Sequence, residues 1–393
     1  MRAFDAELSG RLEALSQTQL LRRLRAVDSP QGGKIILNGK RVLNFSSNDY
    51  LGLATHAKIK DAAARAIQKF GAGSGASRLI SGSLEPHQEL EACLADFKGT
   101  EAALVFSSGY ATALGTITAL VGRGDIVILD KLVHASIVDA ARLSGAKLRV
   151  FAHNDLKDFE EILKWCQRER KTNAQTQILI VTESLFSMDG DFAPLPELAA
   201  LKEKYGAWLM VDEAHATGLF GERRTGLCEQ FQVSERVEIQ MGTLGKAIGS
   251  AGGYIAGSRT LIDYLVNKAR SFIFSTAPPP SASAAATAGI EVIRSAEGAE
   301  RLKTLHARFR QFGEGKDIIY REPPSPIIPV MVGSEGAALE LSNRLAARGI
   351  FVPAIRYPTV AKGSARLRVT FSSVHSAEDV NALLNGFQNS TLL

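Results

Sequence analysis

The run I-L-I-V-T-E-S-L-F-S-M-D-G-D, Ile178 to Asp191, and the run W-L-M-V-D-E-A-H-A-T-G, Trp208 to Gly218, decide the fold. Each opens on a short apolar stretch, Ile178 to Val181 and Trp208 to Val211, and then turns polar. Between them Leu195 to Tyr205 has helical periodicity. Continuous apolar runs of this length, separated by helices, are the pattern of strands buried on both faces. Working outward, Ala103 to Phe106, Ile126 to Leu129 and Leu148 to Phe151 repeat it upstream, with a helical segment at Asp155 to Gln167, and Val237 to Met241 repeats it downstream. The alternation predicts an α/β fold, a mostly parallel central sheet with helices on both faces. Ligands of such sheets bind beyond the carboxyl ends of the strands, so residues just after each strand are the ones to inspect.

The flanks read differently. Leu8, Leu12, Leu15, Leu20, Leu21 and Leu24 suggest one or two amphipathic helices, and Lys34 to Leu43 a hairpin around Asn38-Gly39. After Pro278, Pro279 and Pro280 come helices over Ala282 to Phe312, a strand Ile327 to Val332, a helix Gly336 to Arg348, a strand Arg366 to Phe371 and a last helix from Ala377. We therefore expect an N-terminal helical segment and hairpin over 1–45, a large α/β domain over 46–285, and a smaller C-terminal α+β domain over 286–393.

Composition removes several classes of function. With 45% hydrophobic and 22% charged residues the chain reads as globular, not disordered. A net charge of +5 suits an acidic ligand but is too small to predict nucleic-acid binding, and Arg22, Arg23, Arg25 and the run Lys164 to Lys171 read as solvated helix faces. The uncharged stretches Ala102 to Gly122 and Ser271 to Ile290 are broken by glycines and prolines, so no membrane span is expected. Cys93, Cys166 and Cys228 form no disulfide framework or metal motif. They fit a reducing compartment, and the charged N-terminus reads as no signal peptide, so a cytoplasmic protein is expected.

Several familiar motifs fail. Gly71-Ala-Gly73-Ser-Gly75-Ala76 mimics a dinucleotide loop but follows a charged helical segment, Asp61 to Phe70, instead of a strand. Lys246 is followed by Ala247, so this is no P-loop, and neither GxSxG nor HExxH occurs. The strand ends carry more. Ser107-Ser108-Gly109-Tyr110 opens a helix, and is either a phosphate cradle or a tight turn. Asp130 and His134 follow the next strand. Asp212 ends a very apolar strand, where a carboxylate needs a cationic partner. In M-G-T-L-G-K-A-I-G, Met241 to Gly249, Lys246 sits among small residues, either a loop lysine or a Schiff-base nucleophile. Taken in order, a phosphate cradle, His134, Asp212 with His215 three residues on, and Lys246 suit pyridoxal phosphate.

These residues, with N-F-S-S-N-D-Y-L-G-L (Asn44 to Leu53), G-A-G-S-G-A-S-R-L-I-S-G (Gly71 to Gly82), A-H-N-D (Ala152 to Asp155) and Y-P-T-V-A-K-G-S-A-R-L-R (Tyr357 to Arg368), resemble the α-oxoamine synthases over nearly the whole chain. Those are fold-type I pyridoxal-phosphate transferases that join an amino acid to an acyl thioester with loss of carbon dioxide. The resemblance implies that Lys246 forms the imine with the cofactor and removes the α-proton, that Asp212 pairs with the pyridine nitrogen and that His134 stacks on the ring. His215 and Ser187 would lie near the phenolic oxygen, and Ser108, Gly109, Tyr110 and Thr243 would hold the phosphate. Ser275 and Thr276 match the segment a second subunit contributes, which implies a homodimer with shared active sites. Asn48, Glu183 and Arg368 match positions lining the substrate site, Arg368 for the carboxylate, and Arg22 an arginine of the acyl-substrate site.

The local stretches point to the branch that uses L-alanine and a pimeloyl thioester, pimeloyl-CoA or pimeloyl-ACP. The alternative is a sister branch, such as glycine C-acetyltransferase or 5-aminolevulinate synthase. Ser77 stands where the aminolevulinate branch carries a threonine that crowds out side chains larger than glycine. Inactive subunits of this fold lack the lysine present here at Lys246.

Overall fold

The computed structural model describes residues 3–314 and 325–387. Its strands, in chain order, are β1 (Lys34–Leu37), β2 (Lys40–Asn44), β3 (Ala102–Phe106), β4 (Ile126–Asp130), β5 (Lys147–Phe151), β6 (Ile178–Glu183), β7 (Trp208–Asp212), β8 (Ile239–Thr243), β9 (Gly253–Gly257), β10 (Ile327–Gly333), β11 (Ile350–Phe351), β12 (Ala354–Ile355) and β13 (Ala365–Thr370). The chain divides into two compact units. One comprises Leu53–Ser187 with Asp191–Leu302, the other the chain up to Gly52, Met188–Gly190 and the chain from Lys303 onward.

The larger unit is built on a seven-stranded sheet in the order β3-β9-β8-β7-β6-β4-β5. Pairs β4–β5, β4–β6, β6–β7 and β7–β8 are parallel, and β9 alone runs against its neighbours β3 and β8. Every residue of β3, β4, β6 and β9 is buried, as strands covered on both faces require. Val127, Leu129, Leu179, Val181, Met210, Ile239 and Met241 face one layer, which includes the helices Gly109–Leu120, Ala135–Ser144 and Arg259–Lys268. Helices Glu85–Lys98, Leu156–Thr172 and Leu195–Tyr205 also pack on the sheet or on one another. Each fully buried Ile, Leu or Val contributes about 1.5–3 kcal/mol, so these strand positions hold the strand ends still.

The Gly71–Ala76 loop follows the helix Ala57–Phe70, consistent with rejecting a dinucleotide fold. Ala102 to Gly122 becomes β3, a turn and a helix. No helix among the described residues is long and apolar enough to cross a membrane.

In the smaller unit, β1 and β2 form the expected hairpin, with Asn38 and Gly39 at φ 48° and 74°, as a two-residue type I′ turn needs. β11 joins β2 in parallel, and β10, β13 and β12 form a second, antiparallel sheet. Phe45, Phe312, Phe371 and Phe387 are its core, and the His375 ring stacks on Phe45 at 4.2 Å.

Two expectations need correction. The N-terminal segment and the C-terminal region form one unit, divided from the other at Gly52 and Leu302, where the sequence suggested 45 and 285. The reason is long-range: Leu43 and Asn44 pair with Ile350 and Phe351, which local patterning cannot reveal. The leucine-spaced N-terminus forms one helix, Ala3–Gln17, with no buried residue. It ends where Gln19 takes φ 60°, so Arg22, Arg23 and Arg25 lie outside any helix.

Candidate active site

Five strand ends of the larger unit carry most of the residues singled out in the sequence. After β3, Ser108 caps the helix Gly109–Leu120, its hydroxyl accepting from the Ala111 N–H at 3.1 Å. A Cβ on Gly109 would lie 2.6 Å from the Thr243 methyl, and one on Gly253 would lie 2.9 Å from the Gly109 backbone. Only glycine lets this helix start press so closely on the ends of β8 and β9. The first N–H groups of a helix have no acceptor within it, so this start presents backbone donors beside the Thr243 hydroxyl. Lys246 Nζ donates to that hydroxyl at 3.2 Å. Tyr110 contributes only its backbone here, because its phenol donates to Asp139 at 2.8 Å.

Beyond β4, His134 caps the helix Ala135–Ser144, its Nδ1 accepting from the Ser136 N–H. This bond fixes the ring, and burial depresses its pKa, so the imidazole is neutral at pH 7.

Glu183 and Asp212 are the last residues of the parallel neighbours β6 and β7, directly opposite in register. Both are buried. Asp212 Oδ1 accepts from the Ala214 N–H at 2.9 Å, and Glu183 Oε2 from the Ser187 N–H at 3.3 Å, while Glu183 Oε1 is buried without a partner. Burial, then the charge of Asp212, pushes the Glu183 carboxyl up to about 8. Burial also raises Asp212, opposed by Lys246 and by His134. Both carboxyls are thus held towards the protonated form, Glu183 far enough to keep its proton at neutral pH, while Lys246 and His134 favour the negative charge on Asp212. The partner of Asp212 thus comes from β8 and β4, far away in sequence.

His215 is buried in the turn after β7, which the bonds of Ala216 and Thr217 to the Glu213 carbonyl close. Thr276 forms an isolated bridge with Ser77, placing the Ser275–Thr276 segment beside the glycine-rich loop. In the smaller unit, Arg368 on β13 donates to Asn48 Oδ1 at 3.0 Å and to the Tyr50 hydroxyl at 3.3 Å, joining two predicted substrate residues. Arg22 donates to the Tyr357 carbonyl at 3.1 Å, and its charge helps burial lower the pKa of Arg356.

Two buried ionic groups were missed. Lys98, at the end of its helix, donates to Glu213 at 2.5 Å and to the Thr225 carbonyl at 2.7 Å. Their side chains are 1% and 0% exposed. His153 lies between Asp130 and Asp191. The only sequence signal for either was a charged residue inside or beside an apolar run.

A family model, aminotransferase class I and II, matches residues 40–387, and the chain belongs to that family, with the fold of the fold-type I pyridoxal-phosphate transferases. Within it, the chain is an α-oxoamine synthase. It is 48% identical over 97% of its length to 8-amino-7-oxononanoate synthase of Geotalea daltonii, covering 95% of that protein. It is 42% identical over 96% of its length to 8-amino-7-oxononanoate synthase 1 of Bacillus subtilis, again covering 95%. Among solved structures, serine palmitoyltransferase of S. paucimobilis with bound PLP and myriocin superposes with a TM-score of 0.89 at 30% identity, over 98% of this chain and 96% of that one.

Proposed function

We propose that this chain condenses L-alanine with a pimeloyl thioester, carried by coenzyme A or by acyl carrier protein, to give 8-amino-7-oxononanoate, carbon dioxide and the free thiol carrier, with pyridoxal 5′-phosphate as cofactor. The observation that carries the reading is the meeting, at the carboxyl end of the sheet, of the buried carboxyls Glu183 and Asp212 with His134 and Lys246. Full-length identity to synthases of that name supports the substrates.

The residues fit the cofactor. The helix start at Ser108, Gly109 and Tyr110 with Thr243 would hold its phosphate. Asp212 would hold a proton on the pyridine nitrogen, His134 would stack on the ring as a neutral imidazole, and His215 and Ser187 would bond near the phenolic oxygen. Pyridoxal phosphate supplies an aldehyde that captures amines and a ring that accepts electron pairs from the amino acid's α-carbon. Lys246 would hold the aldehyde carbon until alanine arrives, and its freed amine would take the α-proton. Lys246, bonded to the Thr243 hydroxyl, would also return a proton after carbon dioxide leaves. Arg368, oriented by Asn48 and the Tyr50 hydroxyl, would bind the alanine carboxylate as a planar, two-pronged donor. Glu183, protonated at neutral pH, would donate a hydrogen bond to substrate; Arg22 would meet the acyl chain.

The protein would act as a homodimer in which Ser275 and Thr276 complete the partner's phosphate site. Ile80 and Phe274, 80% and 70% exposed near the Ser77–Thr276 bridge, support a covered surface there. With unpaired Cys93, Cys166 and Cys228, we place it in the cytoplasm.

Thiol release by cofactor-loaded protein tests the reading. L-alanine with pimeloyl-CoA or pimeloyl-ACP should release thiol, and Lys246→Ala should abolish it. Release only with glycine and acetyl-CoA would move the chain to a sister branch.

A further inference from the structure

A-H-N-D and Asp191, the last residue of S-M-D-G-D, have no part in the chemistry above and meet in the larger unit. His153 follows β5, and its Nδ1 lies 2.9 Å from Asp130 Oδ1 and its Nε2 2.8 Å from Asp191 Oδ2. Carboxylates only accept, so an imidazolium, with a proton on each ring nitrogen, satisfies both contacts, and the Asn154 amide nitrogen lies 3.3 Å from Nε2. Burial opposes that charge, yet the hydrogen bonds to Asp130 and Asp191 raise its pKa to about 10.

Each carboxylate belongs to a different loop. Asp130 is buried at the end of β4, and its Oδ1 also accepts from the Leu132 N–H at 2.7 Å, inside the turn that leads to His134. Asp191 closes the loop after β6: its carbonyl accepts from the Phe186 N–H at 2.9 Å, and Leu185 bridges to Phe192. The His153 ring meets Phe186, the residue before Ser187, edge-on at 4.4 Å. Asn154, at φ 55°, doubles the link, its N–H bonding Asp130 Oδ2 and its amide bonding Asp191 Oδ2 and the Phe192 carbonyl. The β4–β6 ladder ends at Leu129 and Val181, and beyond it the two loops are linked by the Glu183 carboxyl, which faces the backbone N–H groups of Ser187 and His134, and by the ionic cluster.

We propose that His153 is a positioning residue: as an imidazolium clasped by Asp130 and Asp191, it fixes the turn carrying His134 against the loop carrying Ser187, and so sets the orientation of the cofactor ring. The inference rests on the functional reading above, in which His134 and Ser187 face the cofactor. A purely structural clasp would affect stability alone. A positioning clasp affects the chirality of the cofactor's surroundings and the chemical step.

Visible-region circular dichroism per bound cofactor, with kcat and KM for L-alanine, separates the two in holoenzymes of wild type, His153→Gln and Asp191→Asn. We expect both variants to retain the cofactor with a reduced visible dichroic band. His153→Gln should lose about tenfold to a hundredfold in kcat, the scale of a small misplacement. KM for alanine should stay within about twofold. A lower melting temperature with wild-type dichroism and kcat would overturn the proposal. If His153→Gln fails to fold, Asp191→Asn decides by the same measures. A second readout needs no cofactor: selective 15N-histidine spectra of the cofactor-free protein at pH 8 should show both His153 nitrogens protonated, and a neutral ring would overturn the clasp. A wild type without any visible cofactor band would overturn the functional reading itself, and the proposal with it.

Discussion

Glu183 shows how a single residue's surroundings decide its chemistry. In an unfolded chain its carboxyl titrates near the ordinary 4.5, whereas burial beside Asp212 moves it to about 8 in the fold. Between those values the native state binds the extra proton. The stability this provides is full below about pH 4.5 and is lost as the pH rises towards 8. Glu183→Gln, neutral at every pH, should match wild type within about 1 kcal/mol at pH 5 and exceed it by about 3–4 kcal/mol at pH 8. Urea unfolding of the cofactor-free protein at the two pH values would measure this. A difference that does not change with pH would mean that Glu183 is ionised throughout. Lys246, Asp212 and His134 were singled out in the sequence because each follows an apolar run and, taken in order, the set suits one cofactor. The elevated pKa of Glu183 was not legible, because it arises from a neighbouring strand's register.

At the scale of elements, the buried pair Lys98–Glu213 joins the end of the helix Glu85–Lys98 to the turn after β7, one residue beyond Asp212. Glu213 also accepts from the Cys228 N–H at 2.8 Å, and Gly226 packs on its carboxylate with no room for a Cβ. Burial opposes the charge of Lys98, but Glu213 holds it well above the ordinary lysine range. Glu213→Ala should cost about 3–5 kcal/mol, because it strands a buried ammonium. Replacing both, Lys98→Met with Glu213→Leu, should cost less than about 2 kcal/mol. Chemical denaturation of both variants checks the pair. Equal losses would mean that the charge on Lys98 is solvated in the single variant. Among the elements, β4, β6 and β7 were readable because doubly buried strands are continuous apolar runs. β9, Gly-Tyr-Ile-Ala-Gly, was missed: two glycines in five residues look like a turn, and its strand character comes from pairing with β3 and β8.

For the whole molecule, the sequence pointed to particular strand ends, while the way the segment up to Gly52 joins the C-terminal region required the pairing of β2 with β11. The helix Ala3–Gln17, with no buried residue, carries a leucine spacing that no part of the single chain buries. The proposed dimer should have about twice the mass of the 42.2 kDa chain in sedimentation velocity with cofactor bound, and a monomer of full activity would contradict shared active sites.

The central claim is that the cluster at the carboxyl ends of β4, β6, β7 and β8 is where pyridoxal phosphate is held, with Lys246 as its covalent anchor. Borohydride reduction of the cofactor-loaded protein, followed by peptide mass mapping, tests it most directly. The account predicts a phosphopyridoxyl group on Lys246. A stoichiometric label on any other lysine, or none on a yellow, active protein, would contradict it.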